Sequence, residues 1–494
     1  MPISFNQIPS NLRLPGVYTE QDASRALKGL PQFNSVVYLL GQKLSTGTAT
    51  ADTPVLVTSV QQAQEYFGRG SQLANMFETF KENQRFIETW AIPLADDAGG
   101  TQSTGDIDFA GSPTENGTIH LYIAGRHIPV GVTSGQTPTV IAAAVVAKIA
   151  ENGDLPVTAA VNGSDDTQVD FTARHKGTVG NAIDIRLNYL GAENGQKTPA
   201  GLTYTLTAMN GGATDPDYQD AIDGLPDEDI EYFVLGTDQA AELAKVESEL
   251  EDRWGPLRMH EGFAFAAKQD TVANLTTFGN ARNSEFLSVP GVYDYPTPYY
   301  EIAAAYGAQI SYAASNDPAR PFQTLELKNV LAPPVESRFT QEERNLLLYD
   351  GIASLRIAKD GSVQIERAIT TYQTNAASAP DPAYLDTNTI LTLAYLRKSS
   401  RVRLLLKFPR HKLVDNGTRI GAGQAAVTPN DIRAELIALF AQWEQVGLVE
   451  NMEQFKTELI VERNISDQNR IDVLMPPDLA NQLRILALNF QFLL

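Results

Sequence analysis

Leu486-Ala487-Leu488-Asn489-Phe490-Gln491-Phe492-Leu493-Leu494 closes the chain. Leu486, Leu488, Phe490 and Phe492 fall on one face of an extended segment, and Asn489 and Gln491 on the other, so the pattern predicts a β-strand. Chain ends fray unless something holds them, and a row this apolar needs a surface to lie on. Further back, Thr428-Pro429-Asn430-Asp431 is a helix start: Thr caps, Pro suits the first turn, and an acid complements the N-terminal dipole. Ile432, Leu436, Leu439, Phe440 and Trp443 recur at helical spacing, and Gly447 is a stop. Residues 430–494 therefore read as a helix, two turn-bounded strands and a terminal strand.

Composition bounds the rest. A chain of 494 residues can hold two to four domains, and 43% apolar with 20% charged residues is ordinary for a globular protein. No apolar run approaches the roughly 18 residues that span a bilayer, and the first residues show no signal-peptide pattern. With no cysteine, disulfides, thiolate metal sites and a Cys nucleophile are excluded, which fits folding in a reducing cytoplasm. A net charge of −21 argues against generic nucleic-acid or anionic-membrane binding.

Residues 1–31 do not read as a compact element. Ile3 and Phe5 alternate, and Pro2, Pro9, Pro15 and Pro31 favour an extended path. Two readings stand: a disordered leader, or an arm lying on another surface. From Phe33 the texture is α/β, with a buried strand at 36–40, helices at 60–67 and 72–81, and a strand at 86–92. A Gly/Thr/Ser-rich linker at 98–105 opens a stretch rich in Gly, Thr, Asn and Val, with six strand candidates and one helix at 139–150. It reads as a mainly β insertion in preference to a continuation of one large domain.

Residues 215–252 hold 14 acids and one base, Lys245, which reads as a solvated face before a partner-facing patch. There the α/β rhythm returns. Strands at 232–235, 263–267 and 286–289 alternate with helices at 237–254, 271–282 and 301–315, predicting βαβ units in a parallel or mixed sheet. Thr340-Gln341-Glu342-Glu343 is a capping box, and Asp360-Gly361 a hairpin turn. A helix at 386–408 can turn Ile390, Leu393, Leu396, Leu404 and Leu405 to a core. The fold class expected is α/β (α+β) and multi-domain: mixed-sheet core domains, a mainly β inserted domain and extended terminal arms.

Catalytic chemistry finds no footing. None of His120, His127, His175, His260 and His411 has a second His or a Cys at metal-ligand spacing, and His120 and His127 read as structural strand residues. Neither a P-loop nor a nucleophile elbow is present. Gly421-Ala422-Gly423-Gln424 lacks the strand and helix that a dinucleotide loop needs. No catalytic, cofactor or metal residue is therefore expected. One cluster departs from the acidic background: Arg397, Lys398, Arg401, Arg403, Lys407, Arg410 and Lys412, with no acid between them. It is either a solvated helix face or a basic strip for an acidic partner.

Several stretches, in order, carry a resemblance. Leu459-Ile460-Val461-Glu462-Arg463-Asn464, followed by Asn469-Arg470-Ile471-Asp472-Val473-Leu474-Met475-Pro476-Pro477-Asp478-Leu479, resembles the C-terminal signature of contractile-tail sheath proteins, in the Mu-like myophage branch. Arg338-Phe339-Thr340-Gln341-Glu342-Glu343-Arg344, Val363-Gln364-Ile365-Glu366-Arg367 and Leu14-Pro15-Gly16-Val17-Tyr18 are similar to other parts of that family.

The resemblance implies a structural subunit that polymerises as a helical stack of hexameric rings around a tail tube. It implies contraction from a metastable extended state that drives the tube through the host envelope. Arms carrying Ile3, Phe5, Leu486, Leu488, Phe490 and Phe492 would add strands to neighbours' sheets. Arg401, Arg403 and Lys407 would face the tube or a neighbour. Implied partners are other sheath subunits, the tail tube protein, and the baseplate and tail terminator proteins, with no nucleic acid and no direct membrane insertion. The place is the virion tail, assembled in the host cytoplasm. Expected domains are an arm at 1–31, a middle domain at 32–97 plus 215–320, an outer domain at 98–214 and a C-terminal domain at 321–494. The alternatives are an α/β enzyme with a β accessory domain, or another virion structural protein.

Overall fold

The computed structural model describes Gly16, Thr19, Leu30, and residues 33–421 and 423–493. It forms two compact units, Asn34–Leu391 and one built on Thr392–Leu494. The boundary between the two units lies at 391/392. The reason is packing: Ile365, Ile369 and Ile390 are buried in the same core as the sheet strands, so the chain to 391 cannot separate from them.

The larger unit is built on a six-stranded sheet. Its order is Leu287–Ser288, Phe263–Phe265, Tyr232–Leu235, Val36–Gln42, Glu88–Leu94 and Val55–Leu56. The first five are parallel, and only Val55–Leu56 runs against its neighbour. The parallel strands read VVYLLGQ and YFVL without alternation because helices cover both faces. Helices Ala240–Trp254 and Val272–Asn280 make the expected crossovers. Helix Tyr299–Asn316 is buried nearly all round and lies against Tyr232–Leu235 and helix Gln72–Asn83. Its composition, four Tyr and many Ala, is that of an interior helix. Gly307 lets it approach closely: a Cβ there would stand 2.7 Å from Val234 Cγ2.

The inserted segment has a core of its own, including Ile107, Phe109, Leu121, Ile141, Val145, Val169 and Phe171. A four-stranded antiparallel sheet runs in the order Leu202–Asn210, Gln102–Gly111, Gln168–Lys176, Val157–Val161. A three-stranded one runs Arg126–Val132, Gly117–Ile123, Ile185–Leu187, with helix Pro138–Ala150 packed beside them. Along Gln168–Lys176 burial alternates strictly, so Val169, Phe171, Ala173 and His175 point inward.

Polar contacts fasten this segment to the rest of the larger unit. Arg126 NH1 is 2.9 Å from Glu301 Oε1, on the interior helix. Arg186 NH2 is 2.8 Å from Asp294 Oδ1, and Tyr189 OH donates to the Ala332 carbonyl at 2.8 Å.

In the smaller unit, helix Pro429–Gln445 starts at a Thr428/Asp431 capping box and buries Leu436, Leu439, Phe440 and Trp443. The Phe440 and Phe455 rings stack with centroids 4.0 Å apart, and Trp443 Nε1 donates to Ser399 Oγ at 3.2 Å. Helix Thr387–Lys407 forms as expected and buries Ile390 and Leu396, but Leu405 is 70% exposed. A row of leucines wider than one helical stripe cannot all face inward.

Candidate functional site: the carboxyl-terminal unit and its arm

Strands Ile460–Arg463 and Ile471–Leu474 pair antiparallel, Ile460 with Leu474 and Arg463 with Ile471, and the first lies against helix Pro429–Gln445. Among the described residues each strand has only the other as partner, so both outer edges of this ribbon are open. Ile460, Val473 and Leu474 stay exposed on it. A two-stranded ribbon alone is marginal in water.

Its loop compensates. Asn464 Oδ1 accepts the Ser466 and Asp467 N–H groups at 2.8 and 2.9 Å, and Asp467 Oδ1 accepts the Asn469 N–H at 2.9 Å. Asn464 Nδ2 then donates to the Asp472 carboxylate across the ribbon. The same device closes Val157–Val161 onto Gln168–Lys176. Asn162 Oδ1 accepts the Ser164 and Asp165 N–H groups, Asp165 Oδ1 accepts the Thr167 N–H, and Asn162 Nδ2 reaches Asp170. Asn-x-Ser-Asp, with an Asp eight residues after the Asn, thus closes a hairpin twice in one chain. Asn464→Ala removes both acceptor contacts and is expected to weaken local closure by about 1–2 kcal/mol. Hydrogen exchange at Ile460–Arg463 would then speed up about tenfold; unchanged protection would show that the loop does not hold the ribbon.

Beyond the short pairing of Val449–Glu450 with Asp478–Leu479, residues 480–493 form no strand. The strand expected at 486–494 is therefore absent from the single chain, because a strand needs a partner edge and this segment has none within the described residues. Leu486 is 72%, Leu488 67%, Phe490 87% and Phe492 81% exposed. Ile3 and Phe5 lie outside the described residues. The end of the amino-terminal segment is anchored: the Phe33 ring meets Tyr395 edge-on at 5.8 Å, with Lys398 Nζ 4.6 Å above it.

The basic strip is partly satisfied at home. Arg403 Nε lies 2.5 Å from Glu435 Oε1, and Lys407 also pairs with Glu435, whose side chain is 6% exposed. Burial alone would raise the Glu435 carboxyl; the two cations outweigh it and hold it below the usual range. The spacing of bases in one helix could not reveal an acid on the next helix. Arg401 is half-buried and engaged, while Arg410 and Lys412 are exposed.

The place where an α/β enzyme would hold its ligand is filled. Strand order reverses between Val36–Gln42 and Tyr232–Leu235, and such sheets bind ligands beyond the carboxyl ends of the strands at that point. Here Gln72 closes the crevice. Its Oε1 accepts the Gln42 N–H at 2.7 Å, and its Nε2 donates to the Gly236 carbonyl at 2.5 Å. His175 Nε2, from the insertion, accepts the Gln72 N–H at 3.0 Å, which leaves the imidazole proton on Nδ1, facing Asp96 at 2.7 Å. The degenerate Gly421–Gln424 stretch precedes strand Ala426–Val427, which pairs with Lys412–Leu413.

An open ribbon beside an exposed apolar tail describes a subunit built to join others, and comparison with known proteins says which. The model of the phage tail sheath protein central domain matches residues 211–371, and that of the phage tail sheath C-terminal domain matches 379–493. The Mu-like prophage FluMu tail sheath protein of Haemophilus influenzae is 43% identical over 494 residues, all of both chains. Among solved structures, the sheath tail protein Lin1278 of Listeria innocua has a TM-score of 0.49 at 10% identity, covering 93% of this chain and 95% of that one. A chain of the contracted PVC sheath complex, an extracellular contractile injection system, has 0.49 at 9%, covering 97% and 98%. The chain belongs to the phage tail sheath family, in its Mu-like branch. It is a structural, self-assembling subunit of a contractile virion tail and not an enzyme.

Proposed function

We propose that the subunit polymerises as a helical stack of hexameric rings around the tail tube, each joined to its neighbours by its two ends. The observation that carries this is the exposed, alternating row Leu486, Leu488, Phe490 and Phe492, in the same unit as a ribbon with two open edges. A strand from one copy laid on the ribbon of another satisfies main-chain groups and buries alternate side chains. The amino-terminal arm, through Ile3 and Phe5, serves the second edge.

Such a contact runs head to tail and does not close on itself, so it propagates. Contraction then needs no fuel: the extended lattice is trapped, and the contracted one is lower in free energy. Baseplate proteins release it, the terminator protein caps it, and assembly takes place in the host cytoplasm, with neither nucleic acid nor membrane bound by the sheath itself. Arg401, Arg403 and Lys407, extended by Arg410 and Lys412, mark the face toward the acidic tube or a neighbour, Arg403 and Lys407 doing so while sharing Glu435. The domains follow as an arm at 1–31, a middle domain, an outer domain at 98–214 supported by its separate core, and a carboxyl-terminal domain.

Electron microscopy of the intact chain beside one lacking residues 1–20 tests the reading. Tubes or ring stacks from the first and discrete particles from the second are expected. Equal polymerisation by both would remove the amino-terminal arm from the lattice, and a monomer that binds a nucleotide would overturn the reading.

A further inference from the structure

Of the chain's five histidines, two meet outside the assembly arms and the closed crevice. Gly117–Ile123 and Arg126–Val132 form a hairpin turning at Ala124-Gly125, with Tyr122 opposite His127 and His120 opposite Pro129. His120, Tyr122 and His127 therefore share one face. His120 Nδ1 lies 3.0 Å from His127 Nε2, with the two rings within 11° of parallel. The Tyr122 ring stacks on His127 at 4.7 Å, and its hydroxyl accepts a hydrogen bond from Gln196 Nε2 at 2.7 Å. The pair is placed by packing on one side and open to water on the other, since His127 is exposed and His120 half-exposed.

We propose that His120 and His127 together bind one borderline transition-metal dication, such as Zn2+, Ni2+ or Cu2+, with water completing the coordination. Imidazole nitrogens sit about 2.0–2.1 Å from such a metal, so two of them at cis positions lie about 2.9–3.4 Å apart. The 3.0 Å separation falls in that interval; the two nitrogens now share one hydrogen bond, which the metal would replace. Among the described residues no cluster of three or more His, Cys, Asp or Glu side chains could hold a metal, so the chain supplies two ligands here and the outer positions stay open. A net charge of −21 concentrates dications around the protein.

The test is Cu2+ titration of the full chain, read by calorimetry and by electron paramagnetic resonance, beside His120→Ala, His127→Ala and His175→Ala. One equivalent per chain with two coordinated nitrogens is expected, weakened at least tenfold by either of the first two changes and unaffected by the third. Circular dichroism confirms that the variants remain folded. Binding that survives His120→Ala, or none tighter than millimolar in the intact chain, would overturn the site.

Discussion

Replacing Leu486, Leu488, Phe490 and Phe492 together by serine is expected to abolish polymerisation and to leave the unfolding temperature of the isolated subunit unchanged. The two halves of that result have one cause. These side chains are 67–87% exposed, so the folded subunit gains little from them. Burial in a neighbour's groove would contribute about 1.5–3 kcal/mol each, or about 6–12 kcal/mol for the four before ordering costs. Even half the lower figure is about a hundredfold in association at every joint. Serine keeps the main-chain groups, so a surviving polymer would show that backbone pairing alone suffices. A drop in unfolding temperature would show that the tail packs on its own chain. Sedimentation and differential scanning calorimetry separate the outcomes.

Arg126→Met is expected to destabilise the larger unit by about 3–5 kcal/mol, because it strands the Glu301 carboxylate, 4% exposed, without its cation. Methionine keeps much of the apolar stem, so the loss is chiefly electrostatic. The pH dependence carries the signature. Burial raises the Glu301 carboxyl above its ordinary value of 4.5 even with Arg126 beside it, and more without. A group raised in this way binds its proton more tightly folded than unfolded. Its favourable contribution is complete below pH 4.5 and is lost as pH rises through the folded value. The variant should therefore regain stability as the buffer is taken from pH 8 toward pH 5. Adding Glu301→Gln should remove most of that dependence. A flat profile in Arg126→Met would show that water, and not Arg126, solvates the carboxylate.

The elements that sequence alone predicted are those whose signals are local. The Thr340/Glu343 and Thr428/Asp431 caps, the Asp360-Gly361 hairpin and the crossover helices are set by neighbours a few residues apart, and all are present. The helix start expected at Thr237 shifts to Gln239 because the Thr237 hydroxyl accepts the Gln239 N–H in a turn of its own. What sequence missed is long-range. Glu435 pairs with Arg403 and Lys407 from another helix, the Gln72–His175–Asp96 network joins three distant segments, and the hairpin register brings His120 to His127. The terminal strand was misplaced for a different reason. Its alternation is legible, but a strand is a property of two edges, and one chain supplies only one.

The main sheet also sets a timetable. Val36–Gln42 has Glu88–Leu94 on one side and Tyr232–Leu235 on the other, and a hydrogen bond from Val36 N–H to Glu231 spans 195 positions. At about 5–20 residues per second of synthesis, the second neighbour reaches the first about 10–40 s later. Through that interval a nascent subunit carries an apolar strand with one edge unpaired, while the insertion, which has its own core, can fold ahead of the sheet that flanks it. A tail that needs many copies at once therefore carries an aggregation risk at the ribosome as well, in the interval before residue 232 is made.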